Sequence, residues 1–264
     1  MKERHSRLEG KVAVVTGAGS RRPGIGNGKA TAILFAREGA KVLLVDRVTE
    51  RMQETLEVIK REGGEASAFT ADVTRVKDCQ AMVDTTVERY DRLDILHNNV
   101  GIESKGSVVD MDLEEWDTVM DVNLKSIVLT SRCAIPRMII GGGGAIINIS
   151  STSALRPRGM EAYSASKGGI IALTRAMAAS HARNNIRVNC ILPGTVFTPM
   201  VAEGMTNEVR ERRRMGTALQ TEGTAWDVAW AAVYLASDEA RWVTGIVLPV
   251  DGGLLLTRRD LPQT

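Results

Sequence analysis

Short apolar runs separated by longer helix-like stretches constrain this chain more than any other feature. Residues 11–16 (K-V-A-V-V-T), 41–46, 93–97, 145–150, 186–192 and 246–250 are rich in Val, Ile and Leu and lack strict polar alternation. Strands of a parallel sheet covered on both faces have this composition. Residues 66–71 form a weaker candidate. The intervening segments 28–38, 50–62, 76–90, 113–139, 163–184 and 225–236 read as helices. Gly39 and the Gly63-Gly64 pair stand where helix C-caps belong. Such a β-α-β-α rhythm predicts an α/β fold: a doubly wound, Rossmann-like parallel sheet in three layers with right-handed crossovers. No internal repeat or long linker interrupts it, and the glycine run 141–144 reads as a loop, so 1–264 is expected to form a single domain.

Bulk properties exclude several classes. Hydrophobic residues make up 44% and charged residues 25% of 264, which fits neither a disordered nor a fibrous chain. A formal net charge of +2 lacks the basic excess of a nucleic-acid binder. No apolar run approaches the ~18 residues of a membrane span. The charged start, M-K-E-R-H-S-R, lacks the apolar stretch of a secretory signal. The expectation is a cytoplasmic protein with no nucleic-acid or membrane partner. Cys79, Cys133 and Cys190 are scattered, form no metal-ligand spacing, and are expected to be buried free thiols.

The first strand runs into T-G-A-G-S-R-R-P-G-I-G-N-G-K-A, residues 16–30, and then into a helix. Glycines there permit a tight turn and let backbone N–H groups approach a pyrophosphate, which the helix N-terminus stabilises. Asp46 ends the second strand, 20 residues beyond Gly26. An acid at that spacing accepts hydrogen bonds from the adenosine ribose hydroxyls and repels a 2′-phosphate. The cofactor expected is therefore NAD rather than NADP. Arg21, Arg22 and Arg47 could pair with such a phosphate, but Asp46 would remain beside it.

Tyr163 and Lys167 in Y-S-A-S-K lie four residues apart, one turn along one helix face. An ammonium and a cationic nicotinamide would both favour the phenolate, lowering a pKa that is ordinarily near 10. Such a tyrosine can take a proton from an alcohol or return it to a carbonyl. Upstream, the strand at 145–149 ends in Ser150-Ser151, beyond the carboxyl end of a strand where doubly wound sheets bind ligands.

Taken in order, these segments resemble the classical short-chain dehydrogenase/reductase family. The marks are T-G-A-G…G-I-G (16–26), D-V (72–73), N-N-V-G (98–101), V-N (122–123), N-I-S-S (148–151), Y-S-A-S-K (163–167), R-V-N-C-I-L-P-G (187–194), T-P-M (198–200) and V-D-G-G (250–253). The resemblance covers about Gly10 to Gly253.

It implies Tyr163 as the acid/base and Lys167 as the residue that binds the nicotinamide ribose and lowers the tyrosine pKa. Asn123 would hold a water in a proton relay. The substrate-orienting serine would be Ser151, although it stands one residue closer to the tyrosine than the family pattern has it, which leaves Ser150 as the alternative. For the cofactor, Gly17, Gly24, Ile25 and Gly26 would line the pyrophosphate, Asp46 the ribose, and Asp72 and Val73 the adenine. Asn99 and Gly101 would support the end of the fourth strand, with Val100 replacing a more usual alanine. Pro193, Gly194, Val196 and Thr198 resemble the segment that touches the nicotinamide amide. The glycine loop departs from the pattern by three extra residues within 18–23.

The family's substrate lid corresponds to about 200–222, with Met200, Met205 and Met215 beside Arg210, Arg212, Arg213 and Arg214. Together with Arg156 and Arg158, these arginines could hold an acidic substrate or could be solvated charge. The implied function is hydride transfer between NAD(H) and a secondary alcohol or ketone. The alternatives are an NADPH-dependent ketoreductase of the same fold and a catalytically silent nucleotide-binding protein. The helices around Asn123 and Tyr163 and the V-D-G-G region resemble subunit interfaces, implying a homotetramer, with a homodimer as the alternative.

Overall fold

In the computed structural model, which describes residues 6–20, 22–202 and 204–257, the apolar runs are strands with helices against both faces. β1 (Val12–Thr16) shows why they do not alternate. Ala13 and Val15 point into one core, with Ile33, Phe35 and Ala229; Val12 and Val14 point into the other, with Met82, Ala134 and Met138. Every position is buried, and each valine removed from water contributes roughly 1.5–3 kcal/mol. β2 (Lys41–Asp46) repeats the pattern, and β3 (Ala66–Thr70), half-buried at the sheet edge, is correspondingly less apolar.

The chain order is β1, α1 (Asn27–Arg37), β2, α2 (Glu50–Arg61), β3, α3 (Val76–Tyr90), β4 (Ile95–Asn98), α4 (Leu113–Met120), α5 (Ser126–Ile140) and β5 (Gly144–Ile149). It continues with α6 (Glu161–His181), β6 (Ile186–Pro193), β7 (Val196–Phe197), α7 (Pro199–Ala202), α8 (Asn207–Met215), β8 (Gly223–Thr224), α9 (Ala225–Ala236) and β9 (Val247–Val250). The sheet order is β3-β2-β1-β4-β5-β6-β9, with every pairing parallel. Strand order reverses between β1 and β4, which opens a crevice at the carboxyl ends of the strands. This is the doubly wound Rossmann-like domain expected.

Three differences from the sequence reading have local causes. The fourth strand begins at Ile95 rather than 93, because Asp94 is used as a clamp on β1: its N–H donates to Val12 O (2.9 Å) and its Oδ2 accepts from Val12 N–H (2.9 Å). The expected helix 113–139 is instead α4 and α5 joined by a π-helical turn at Asp121–Lys125. The 200–222 region holds two short helices, α7 and α8, the second capped by Thr206 Oγ1 accepting from Val209 N–H (3.3 Å). Cys79, Cys133 and Cys190 are buried free thiols. Among the described residues no helix is long and apolar enough to cross a membrane.

Candidate active site

A cleft of about 290 Å³ opens at the crevice and runs from the end of β2 to α7 and α8. One end is lined by Asp46, Arg47, Arg51, Asp72 and Val73, the middle by Gly17, Gly26 and Asn99, and the other end by Ser151, Tyr163, Lys167 and Arg213.

The glycine turn is built around backbone approach. Gly17 has φ +65°, a left-handed conformation open to glycine, and a Cβ there would lie 2.9 Å from Asn99 Nδ2. That same amide donates to Thr16 O (3.3 Å) and Gly17 O (3.2 Å), so Asn99 braces the turn from β4. A Cβ on Gly28 would meet Gly17 O at 2.1 Å, so α1 packs against the turn only because residue 28 has no side chain. Gly26, in contrast, faces open space: a Cβ there would meet no heavy atom within 4 Å, and the residue lines the cleft at the start of α1. A narrow backbone cradle at a helix N-terminus suits a pyrophosphate, so the residues present fit a dinucleotide. Gly24 and Ile25 do not reach the cleft wall. Gly24, at φ +121°, backs onto the Pro199 ring, and Ile25 packs against the core.

At the β2 end of the cleft, Asp46 Oδ1 accepts from Val48 N–H (3.2 Å) and lies 3.8 Å from Arg51 Nη1. Asp72 accepts from both the hydroxyl (2.7 Å) and the N–H (3.0 Å) of Thr74, which hold its carboxyl below the usual range. Arg21 lies outside the described residues. Arg47 lines the cleft and Arg22 does not.

At the other end, α6 carries Tyr163 and Lys167. Its start is held by Tyr163 N–H donating to Ser104 Oγ (3.1 Å). Lys167 is buried, and its Nζ donates to Ile149 O at the end of β5 (3.0 Å). A Cβ on Gly101 would lie 3.2 Å from that Nζ, so the glycine leaves the ammonium its space. Burial lowers the Lys167 pKa to about 8. The protein's own groups push the Tyr163 pKa up to about 12. Burial is the largest cause, Glu103 adds to it, and the hydrogen bond with Ser151 opposes both. Desolvating a phenol penalises its anion, and the buried lysine beside it does not by itself outweigh that cost.

Both serines line the cleft, but their hydroxyls have different partners. Ser150 Oγ is buried and donates to Lys167 O (2.7 Å), which ties β5 to α6. Ser151 faces the cleft and the Tyr163 hydroxyl, and its Oγ accepts from Ser153 N–H (3.1 Å). Asn123, in the π turn, stands one layer behind the wall. Its Oδ1 accepts from Ile102 N–H (2.8 Å), and its Nδ2 donates to Ile102 O and Ser166 Oγ (both 3.0 Å). Pro193, Gly194, Val196 and Thr198 line the cleft where β6 ends. Arg158 reaches it, whereas Arg156 donates to Leu254 O and to Thr257 Oγ1 (2.9 Å) and so holds the C-terminal segment. Glu103, Met160 and Arg51 also line it. No motif flags these three, whose places depend on loop paths and on the pitch of α2.

A half-buried Tyr163 and a buried Lys167 beside a serine, at the crevice of a doubly wound sheet, define a dinucleotide-dependent oxidoreductase. The family model described as enoyl-(acyl carrier protein) reductase matches residues 20–255. A 3-oxoacyl-[acyl-carrier-protein] reductase from Thermotoga maritima is 38% identical over 95% of this chain and 100% of its own. A cyclopentanol dehydrogenase from Comamonas sp. is 38% identical over 94% of this chain and 98% of its own. A solved short-chain dehydrogenase/reductase structure from Burkholderia xenovorans superposes with a TM-score of 0.92 at 41% identity, covering 96% of this chain and 100% of that one. The chain belongs to the classical short-chain dehydrogenase/reductase family and is an oxidoreductase.

Proposed function

We propose that the protein transfers hydride between NAD(H) and a secondary alcohol or ketone, with Tyr163 as the acid/base. The observation that carries this reading is the grouping of Ser151, Tyr163 and Lys167 at one end of a cleft whose other end holds Asp46. Gly17 and Gly26 cradle the pyrophosphate, with Gly24 and Ile25 shaping the loop from behind. Asp46 accepts from the ribose hydroxyls, and Asp72 and Val73 flank the adenine. Asn99 and Gly101 hold the floor of the site, while Pro193, Gly194, Val196 and Thr198 meet the nicotinamide amide. NAD⁺ held by these residues would supply the acceptor for the hydride that leaves the carbinol carbon.

Ser151 holds the substrate oxygen, and Tyr163 takes the hydroxyl proton. Lys167 supports the phenolate and binds the adjoining ribose. Asn123 belongs to the same proton-handling group as a positioning residue, since its carboxamide fixes Ile102 and, through Ser166, the start of α6. Residues 200–222 act as the substrate lid. With NAD preferred, alcohol oxidation is the working direction. The assembly is a homotetramer, and a monomer on sizing chromatography would contradict this.

Turnover of a panel of secondary alcohols with NAD and with NADP tests the cofactor and substrate reading. NAD should be preferred in the native protein, and Asp46→Ala should narrow that preference. A native preference for NADP would overturn the role given to Asp46.

A further inference from the structure

Arg213 differs from the other arginines of α8. Arg210 is held by both oxygens of Glu222 and lies 4.0 Å over the Phe197 ring. Arg214 is held by both oxygens of Glu211. Arg212 is exposed. Arg213 is half-buried in the cleft wall, and among the described residues no carboxylate lies within 4.0 Å of its guanidinium. Its hydrogen bond, from Nη2 to Val196 O, is long at 3.5 Å. A guanidinium carries five N–H donors and keeps its proton in proteins. Burying one without an anion is costly. Burial does lower the Arg213 pKa, while Glu103 and Glu222 act against that only at a distance.

Its position relates this cation to the chemistry. Arg213 lines the same cleft as Ser151 and Tyr163. Glu103 lies within electrostatic reach of both Tyr163 and Arg213. Met200, Val201 and Val196 contribute apolar wall at this end of the cleft. The end beyond Tyr163 thus combines an apolar stretch with a planar donor fork that has no carboxylate partner.

We propose that the substrate is a hydroxy or oxo compound bearing an anionic oxygen group, and that Arg213 binds that group. Carboxylate, sulfonate and phosphate monoester share the geometry the fork recognises. The proposal rests on the reading of Tyr163 as the residue that meets the alcohol.

The test is kcat/KM for secondary alcohols of graded chain length, each ending in a carboxylate, a sulfonate, a phosphate or the methyl ester of the carboxylate. At least one anionic series should exceed its neutral ester by about 10- to 100-fold, and the series that does so identifies the source of the anion. Arg213→Gln and Arg213→Lys should each collapse that ratio, mainly through KM, whereas Arg212→Gln should leave it in place. Tightness of NADH binding by fluorescence verifies that each variant is folded. Equal rates for every anion and its ester, or an Arg213→Gln variant that keeps the native ratio, would overturn the proposal. Tyr163→Phe separates the two readings: loss of turnover in that variant together with no anion preference rejects only the role of Arg213.

Discussion

The Lys167 ammonium lies 5.6 Å from the centroid of the Tyr163 ring, and it donates its hydrogen bond to Ile149 O rather than to the phenol. The lysine is thus anchored to the sheet beside the tyrosine ring and not bonded to its hydroxyl. Burial pushes the Tyr163 phenol up to about 12, and Lys167, itself lowered to about 8 by burial, does not reverse that. Addition of NAD⁺ brings a positive charge and should move the onset of tyrosinate absorbance near 295 nm to lower pH. This NAD⁺-dependent difference spectrum should be present in the native protein and absent in Tyr163→Phe. An identical spectrum in the two would contradict the electrostatic account.

The serine pair gives opposite outcomes. Ser151→Ala removes the hydroxyl that faces Tyr163 and should lower kcat by about 10- to 100-fold at nearly native stability. Ser150→Ala removes the donor to Lys167 O and should cost about 1 kcal/mol of stability, read as a shift in the urea midpoint. Reversed effects would assign the substrate contact to Ser150.

Two glycines of the cradle should also diverge. Gly28→Ala forces a methyl to within 2.1 Å of Gly17 O and should destabilise the fold by about 1–3 kcal/mol. Gly26→Ala meets no atom of the described residues within 4 Å, and its extended φ of −86° suits alanine, so stability should hold. Its methyl enters the cleft, however, and NADH binding should weaken about tenfold. Unchanged NADH affinity in Gly26→Ala would argue that the pyrophosphate lies elsewhere.

His97, buried in β4 against Phe35, has no hydrogen-bond partner on either ring nitrogen among the described residues, and burial lowers its pKa to about 3. Between that value and the unfolded value of 6.5, the unfolded chain binds more protons than the folded one. Stability from this group is therefore complete above about pH 6.5 and falls as pH drops, by about 1.4 kcal/mol per unit. Urea midpoints measured through that range should show the slope, and His97→Leu should flatten it. A native protein with no slope would mean that the imidazole gains a proton without cost.

Much of this can be read from sequence because backbone constraints leave direct traces. The two-faced burial of β1 dictates its apolar run, the closeness of Gly28 to Gly17 O dictates glycine, and helical pitch dictates the Tyr163–Lys167 spacing. The Ser150/Ser151 ambiguity needs three dimensions, since only the path of the chain beyond β5 decides which hydroxyl is tied to Lys167 O and which meets Tyr163. The π turn at Asn123 and the isolation of Arg213 among four lid arginines are equally hidden. The first depends on packing against Ser166 and Ile102, and the second on which arginines find carboxylates. The direction of the Tyr163 shift escapes the sequence because spacing reveals a neighbouring charge but not the depth at which both groups are buried.

The role of Tyr163 is tested most directly by the kinetics of Tyr163→Phe with the best alcohol of the panel, alongside NADH binding by fluorescence. General acid–base catalysis of this kind contributes about 10²–10⁴-fold. The variant should therefore lose at least about a hundredfold in kcat while binding NADH almost as tightly as the native protein. Native turnover in Tyr163→Phe, with NADH bound normally, would contradict the account.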